Sequence, residues 1–180
     1  DGKYKITPVV TNLSSTNYEF VGAAGQLTVN KAKLTVTANA HTITYGAAPT
    51  GNGVTYSGFV AGSSDNINNI GLSGEVTYSF NYSQFGNVGT GKYTITPDIT
   101  GLTATNYEFE AKAGELTVNK KPVTITWGET ELIYSGSAQA PTATVNPSDL
   151  IGTDQCTVDV TGAQTEIGSS YQATASTHPL

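Results

Sequence analysis

Apolar and polar residues alternate with a period of two through much of the chain. Tyr4, Ile6 and Pro8 alternate with Lys3, Lys5 and Thr7, and Tyr93, Ile95 and Pro97 repeat the alternation 89 residues later. In "TNYEF" Tyr18 and Phe20 flank Glu19, just as Tyr107 and Phe109 flank Glu108. A period of two sends successive side chains to opposite faces of a strand. These runs therefore predict strands with one buried face, with Tyr4, Ile6, Tyr18, Phe20, Tyr93, Ile95, Tyr107 and Phe109 in the core. Thr, Val, Ile and Tyr suit a pleated surface, and clusters of Gly, Asn and Ser between the runs supply turns. One helical candidate per complete unit remains, "SSDNINNI" at 63–70, where Ser64 or Asp65 would cap one or two turns. The fold expected is mostly β. Its units are either elongated modules with at most one short helix on a mixed sheet, a β-grasp-like α+β unit, or two-sheet immunoglobulin-like sandwiches.

The alternation recurs because the words recur. Residues 2–31, "GKYKITPVVTNLSSTNYEFVGAAGQLTVNK", align without gaps on 91–120, "GKYTITPDITGLTATNYEFEAKAGELTVNK", with 20 of 30 positions identical. Further on, "LTVTANAHTITYG" at 34–46 matches "VTITWGETELIYS" at 123–135 in pattern, and "VGTGKYTIT" at 88–96 has a shortened echo in "IGSSYQAT" at 167–174. This organisation reads as the back half of a repeat at 1–32, a complete module at 33–120 and the front part of a following repeat at 121–180. A shifted phase would instead give two domains, about 1–90 and 91–180. The apolar parity changes between Leu27, Val29 and Leu34, Val36, and again between Leu116, Val118 and Val123, Ile125. Such a change marks a strand that switches face or core, so the junctions fall at Lys31–Lys33 and Lys120–Pro122. Strands of roughly ten residues at about 3.3 Å each would make a module on the order of 35 to 40 Å long.

Composition removes several function classes. Charged residues make up 12% of the 180, about half the usual share, so solvation rests on uncharged polar groups. With 14 acidic and 8 basic residues the net charge is −6 and the lysines are scattered, which offers no footprint for nucleic acid or anionic lipid. Cys156 is the single cysteine and reads as a small buried apolar residue, excluding a disulfide within the chain. No run of 18 apolar residues and no charged-then-apolar leader occurs, and methionine is absent even at position 1. The sequence is expected to be a piece of a longer polypeptide whose address and anchor lie elsewhere.

The order "GKYTITP", "TNYEF", "GELTVNK", then "LTVTA…TYG…P", resembles the MBG-type repeats of the Tyr-Gly class, found in tandem in large bacterial surface proteins. The resemblance is strongest at 2–46 and 88–120 and consists of structural residues. It implies an extracellular, surface-attached, adhesin-like protein whose modules form a stalk or present binding surfaces to host glycans, mucins or matrix proteins. The last copy departs from the pattern: Tyr134 is followed by Ser135 and Gly136, and "ASTHPL" stands where a strand is expected.

Candidate chemistry is sparse. His41 and His178 are the two histidines, too few and too far apart for a catalytic triad or a two-histidine metal site, so no enzyme and no cofactor are expected. Asp65 is a weak calcium candidate, while Asp149, Asp154 and Asp159 lack calcium-loop spacing. "GNVGTG" at 86–91 has no lysine and no following helix for a phosphate loop. Lys31 and Lys120 recur beside Asn30 and Asn119, the residue types of a Lys–Asn isopeptide crosslink, although neighbours on a strand point to opposite faces. Trp127, Tyr56, Tyr78 and Tyr82 form the candidate ligand platform for stacking sugars, with core packing as the competing use of the same rings. The reading of function is a non-catalytic repeat region serving as stalk, spacer or adhesive module. The alternative is a carbohydrate-binding module of a secreted degradative system. A further expectation, ranked below shifted boundaries, is head-to-tail self-association of the two half repeats.

Overall fold

The computed structural model describes residues 3–168 and 170–178, with side chains omitted at 90–92 and 178. Gly2 of the first repeat, and Pro179 and Leu180 of "ASTHPL", lie outside the described residues. The fold is mostly β. In chain order the strands are β1 (Lys3–Ile6), β2 (Gly25–Thr28), β3 (Ala32–Ala38), β4 (His41–Thr44), β5 (Val54–Ser57), β6 (Thr77–Phe80), β7 (Gly89–Asp98), β8 (Tyr107–Lys112), β9 (Gly114–Asn119), β10 (Ile125–Trp127), β11 (Ala143–Val145), β12 (Thr157–Thr161) and β13 (Thr174–His178). A single 3-10 turn at Pro147–Asp149 is the one helical element among the described residues. Only β7 reaches ten residues; the other strands are shorter than the ten-residue expectation.

The chain divides into two compact units. The first comprises Asp1–Ile43, Ala48–Ser83 and Gly89–Thr117; the second comprises Thr44–Ala47, Gln84–Val88 and Val118–Leu180. In the first unit β3 is the centre of a three-stranded sheet, antiparallel to β5 and parallel to β8. A four-stranded sheet runs β4-β9-β7-β6. The alternation in "AKLTVTA" does what the sequence promises: Leu34, Val36 and Ala38 are buried, and the residues between them are not.

Leu34 lies in a cluster with Ile70, Ala104 and Tyr107, against which Tyr56, Phe59 and Phe109 pack. The Tyr107 ring meets Phe59 edge-on, with centroids 5.9 Å apart. Its buried hydroxyl donates to the Asp65 carboxylate at 2.6 Å and accepts from the Val60 amide at 3.1 Å, so a polar tip enters the core without an unmet hydrogen bond. Tyr93 and Ile95 also take up core positions, half-buried and fully buried respectively, and Tyr93 packs edge-on against Tyr82.

The first copy behaves otherwise. Tyr4, Ile6, Tyr18 and Phe20 are exposed rather than core residues, and Tyr18–Phe20 is not a strand at all. β1 and β2 pair only with one another, and no strand of the described residues pairs with 18–20. In the second copy the same letters form β8 because β3 accepts them along six register positions, Ala32↔Tyr107 to Thr37↔Lys112. Alternation supplies an apolar face; burial needs a facing partner.

Two further expectations change. Residues 63–70 form turns rather than a helix. Their asparagines capture the backbone locally: Asn69 Oδ1 accepts from the Asn66 amide at 2.7 Å, Asn66 Oδ1 from the Asn68 amide at 3.0 Å, and Asn69 Nδ2 donates to the Ser64 carbonyl at 2.9 Å. Such bonds compete with the helical ladder. Conversely, "ASTH" does form a strand, within β13, because β12 pairs with it over five positions from Thr157↔His178 to Thr161↔Thr174.

The second unit repeats the pairing of the first in the same register. β10 and β11 pair Ile125↔Val145, Thr126↔Thr144 and Trp127↔Ala143, which is β3 with β5 (Val36↔Tyr56, Thr37↔Thr55, Ala38↔Val54) moved by 125 − 36 = 89 residues. β12 and β13 reproduce β6 with β7, Ser79↔Thr96 becoming Asp159↔Ser176, at an offset of 80. The nine-residue difference means that a shorter connection still delivers the same two hairpin pairings.

Candidate functional site

Within the second unit, β10 carries Trp127 to its last position, opposite Ala143 of β11, and the Gly128 amide donates to the Thr142 carbonyl at 2.7 Å, prolonging the pair. Beyond β11 a two-residue bridge forms between distant loops, Gln139 and Gln164 exchanging backbone bonds of 2.9 and 2.8 Å. Tyr171 donates its hydroxyl to the Glu166 carbonyl and so fixes the loop before β13. These contacts enclose an open groove of about 920 Å³, lined by Trp127, Tyr134 and Tyr171 together with Gln139, Gln164, Glu166 and Gln172. The three rings are 40%, 60% and 48% exposed. Exposed aromatic faces among amide and carboxylate groups are the chemistry that recognises a polyhydroxylated ligand, stacking on its apolar face and hydrogen-bonding its hydroxyls.

The four rings expected to form a platform do not share one role. Trp127 lines this groove. Tyr56 and Tyr78 are half-buried in the first unit, where burial, and next the neighbouring Tyr78, push the Tyr56 phenol above its ordinary value. Tyr82 is buried against Tyr93 and presents no ring to a ligand. Tyr134 and Tyr171 escaped sequence reasoning because the bridge at Gln139 and Gln164 assembles the groove from separate segments. The signal available was the cluster of Gln residues and Tyr at 164–172.

The other candidates resolve into structural roles. Asp65, the calcium candidate, spends its carboxylate on Tyr107, and among the described residues no three of His, Cys, Asp and Glu gather as a metal site. His41 meets Thr50 Oγ1 at 3.3 Å. Lys31 Nζ donates to the Ala104 carbonyl at 2.7 Å, a backbone acceptor rather than an asparagine, and Lys120 is exposed. Cys156 is half-buried and borders a second hollow of about 620 Å³ with Lys121, Asp149 and Ile151. There Lys121 Nζ donates to the Asp149 carbonyl, and the Thr124 amide donates to the Asp149 carboxylate at 2.8 Å. The bonds from Thr124, and then the charge of Lys121, hold that carboxylate below its ordinary range.

The Tyr-Gly pair is the second feature of this unit. The Tyr45 amide donates to the Asn119 carbonyl at 2.8 Å, Gln84 Nε2 donates to the Gly46 carbonyl at 2.8 Å, and Ala47 closes the turn onto Thr44 at 3.0 Å. Gly46 sits at φ 91°, and a Cβ there would overlap the Ile151 side chain. The left-handed φ demands glycine, and the absent side chain leaves room for the end of Ile151. In the last copy the left-handed position moves to Gly136 (φ 75°), which has open space around it, accounting for the departure at Tyr134–Gly136.

No curated protein and no solved structure matches the chain. Residues 34–117 match the family model described as the MBG domain, YGX type, and the complete module of this chain is an MBG-type repeat.

Proposed function

We propose that this chain is a non-catalytic repeat segment of a bacterial cell-surface protein, acting as spacer or stalk. The observation that carries the reading is the recurrence of the β3–β5 register in β10–β11 after 89 residues, because a chain that reproduces scaffold pairings rather than a reactive constellation is built to add modules. MBG repeats typically occur in extracellular surface proteins, which agrees with it. A single thiol and no methionine leave few sulfur groups to oxidise outside a cell. On this reading the chain has no reaction and no cofactor, and its partners are met by other parts of the protein.

The groove around Trp127 favours a second reading, an adhesive or carbohydrate-binding module that takes host glycans or mucins directly. The purified chain, at high micromolar concentration, is to be tested on arrays of glycans, mucins and matrix proteins. A spacer gives no saturable binding. Saturable binding abolished by Trp127→Ala would overturn the spacer reading in favour of the second.

A further inference from the structure

The repeat spelled by the letters and the unit built by the backbone do not share a boundary. Two segments of the complete repeat, Thr44–Ala47 and Gln84–Val88, belong to the second unit together with Val118–Leu180. The first is the Tyr-Gly turn that follows β4, and the second is the loop that precedes β7. Gln84 Nε2 ties the two together through the Gly46 carbonyl, at 2.8 Å. Phe85, next in that loop, is held at φ 70°, a region that a bulky residue enters only where its surroundings impose it.

Within the second unit this turn is fastened on both sides of the junction at Lys120–Pro122. On the near side the Tyr45 amide donates to the carbonyl of Asn119, the last residue of β9, at 2.8 Å. On the far side the bare Cα of Gly46 faces the end of the Ile151 side chain. The segment that carries Ile151 is itself bound to the start of the following repeat. The Asn146 amide donates to the Thr124 carbonyl at 2.8 Å, the Asp149 carboxylate accepts from the Thr124 amide at 2.8 Å, and the Asp149 carbonyl accepts from Lys121 Nζ. Between Asn119 and Ile125 no strand is described, and Pro122 has no amide to give to a ladder there. The contacts of the turn span that gap.

We propose that the Tyr-Gly turn is the seat of the following repeat: it receives the Ile151 segment, and the two repeats stabilise one another through this joint. The partner is a branched aliphatic side chain of the chain's own next repeat, fitted to the room that a glycine leaves. Coupling through a joint is reciprocal, so a change on either side is felt on the other. Nearest-neighbour coupling of this kind makes an array of repeats more cooperative than its separate members. The inference deepens the spacer reading, yet amide exchange reads it whether or not the groove at Trp127 takes a glycan, so the two can fail separately.

Hydrogen exchange of the full chain, resolved residue by residue, tests the joint from both sides. Gln84→Ala lies in the complete repeat and is expected to speed exchange of the Thr124 and Asn146 amides, in the following repeat, by about three- to tenfold. Ile151→Ala lies in the following repeat and is expected to speed exchange of the Tyr45 amide, in the complete repeat, by about three- to tenfold as well. Gln84 is exposed and Ile151 half-buried, so both variants keep the fold, and the β3 amides are expected to hold their rates. Gln84→Ala without effect on Thr124 and Asn146, or Ile151→Ala without effect on Tyr45, overturns the proposal. So does equal acceleration along β3, which would make the turn an ordinary member of one cooperative body rather than a joint between repeats.

Discussion

Residues 2–31 and 91–120 share two thirds of their letters, and among the described residues they keep one strand pairing, β1 with β2 and β7 with β9, but not their burial. Ile95 and Leu116 are 0% exposed and Tyr107 is 2%, while their counterparts Ile6, Leu27 and Tyr18 are 49%, 49% and 78% exposed. Gly114 and Gly25 differ in the same way. A Cβ at Gly114 would overlap the Ala38 carbonyl oxygen, whereas one at Gly25 would only touch Ile6 at 3.8 Å. What a residue contributes here is decided by whether β3 and its sheet lie against it. Identical words are packed into a core in one copy and left exposed in the other.

Substitution in matched pairs is the most direct way to break this contrast, and the aromatic pair has the largest expected effect. Tyr107→Ala removes a buried ring and leaves Asp65 and the Val60 amide without their partner, costing about 3 to 5 kcal/mol. Tyr18→Ala should stay within about 0.5 kcal/mol in dilute solution. Hydrogen exchange of the β3 amides reads both, and equal effects would end the contrast. The glycines come next: Gly114→Ala forces backbone apart from Ala38 and should cost about 1 to 3 kcal/mol, against about 0.5 kcal/mol or less for Gly25→Ala, checked by denaturant midpoint.

The smallest effect lies where the two copies differ in letter. Asp98 accepts from the Thr100 amide at 2.9 Å and from its hydroxyl at 2.8 Å, and those bonds, the backbone one first, hold its carboxyl below the ordinary range; the first copy has Val9 at that place. A carboxyl depressed on folding stabilises at neutral pH, and that contribution is lost as pH falls through its folded value, below the usual carboxylate range. Asp98→Asn should therefore flatten acid sensitivity slightly in that window and leave it unchanged above. A pH series of thermal midpoints for the two proteins reads the difference.

Much of the first unit was legible because periodicity reports faces. β1, β3, β7 and β8 lie where alternation places strands, and the buried parity of Leu34, Val36 and Ala38 is the one read from the letters. What periodicity omits is the partner, so Tyr18 and Phe20 were indistinguishable from Tyr107 and Phe109. Local competition was also hidden: "SSDNINNI" has capping residues, yet its asparagine side chains close turns before a helix can start. "ASTH" lacks large apolar residues and becomes a strand only because β12 offers its edge. The groove depended on the Gln139–Gln164 bridge, a contact between segments that no local pattern announces.

The parallel pair β3–β8 has a mechanical consequence. Because both strands run the same way, the chain enters the pair at Ala32 and leaves it beyond Lys112, at opposite ends of the six paired positions. Tension drawn through the backbone therefore slides one strand along the other and strains its evenly spaced bonds together, instead of peeling them off singly. Pulled end to end, a tandem array of such modules would yield in abrupt, uniform steps, one per module. A sloping, gradual extension in a force trace would mean that the load bypasses this pair.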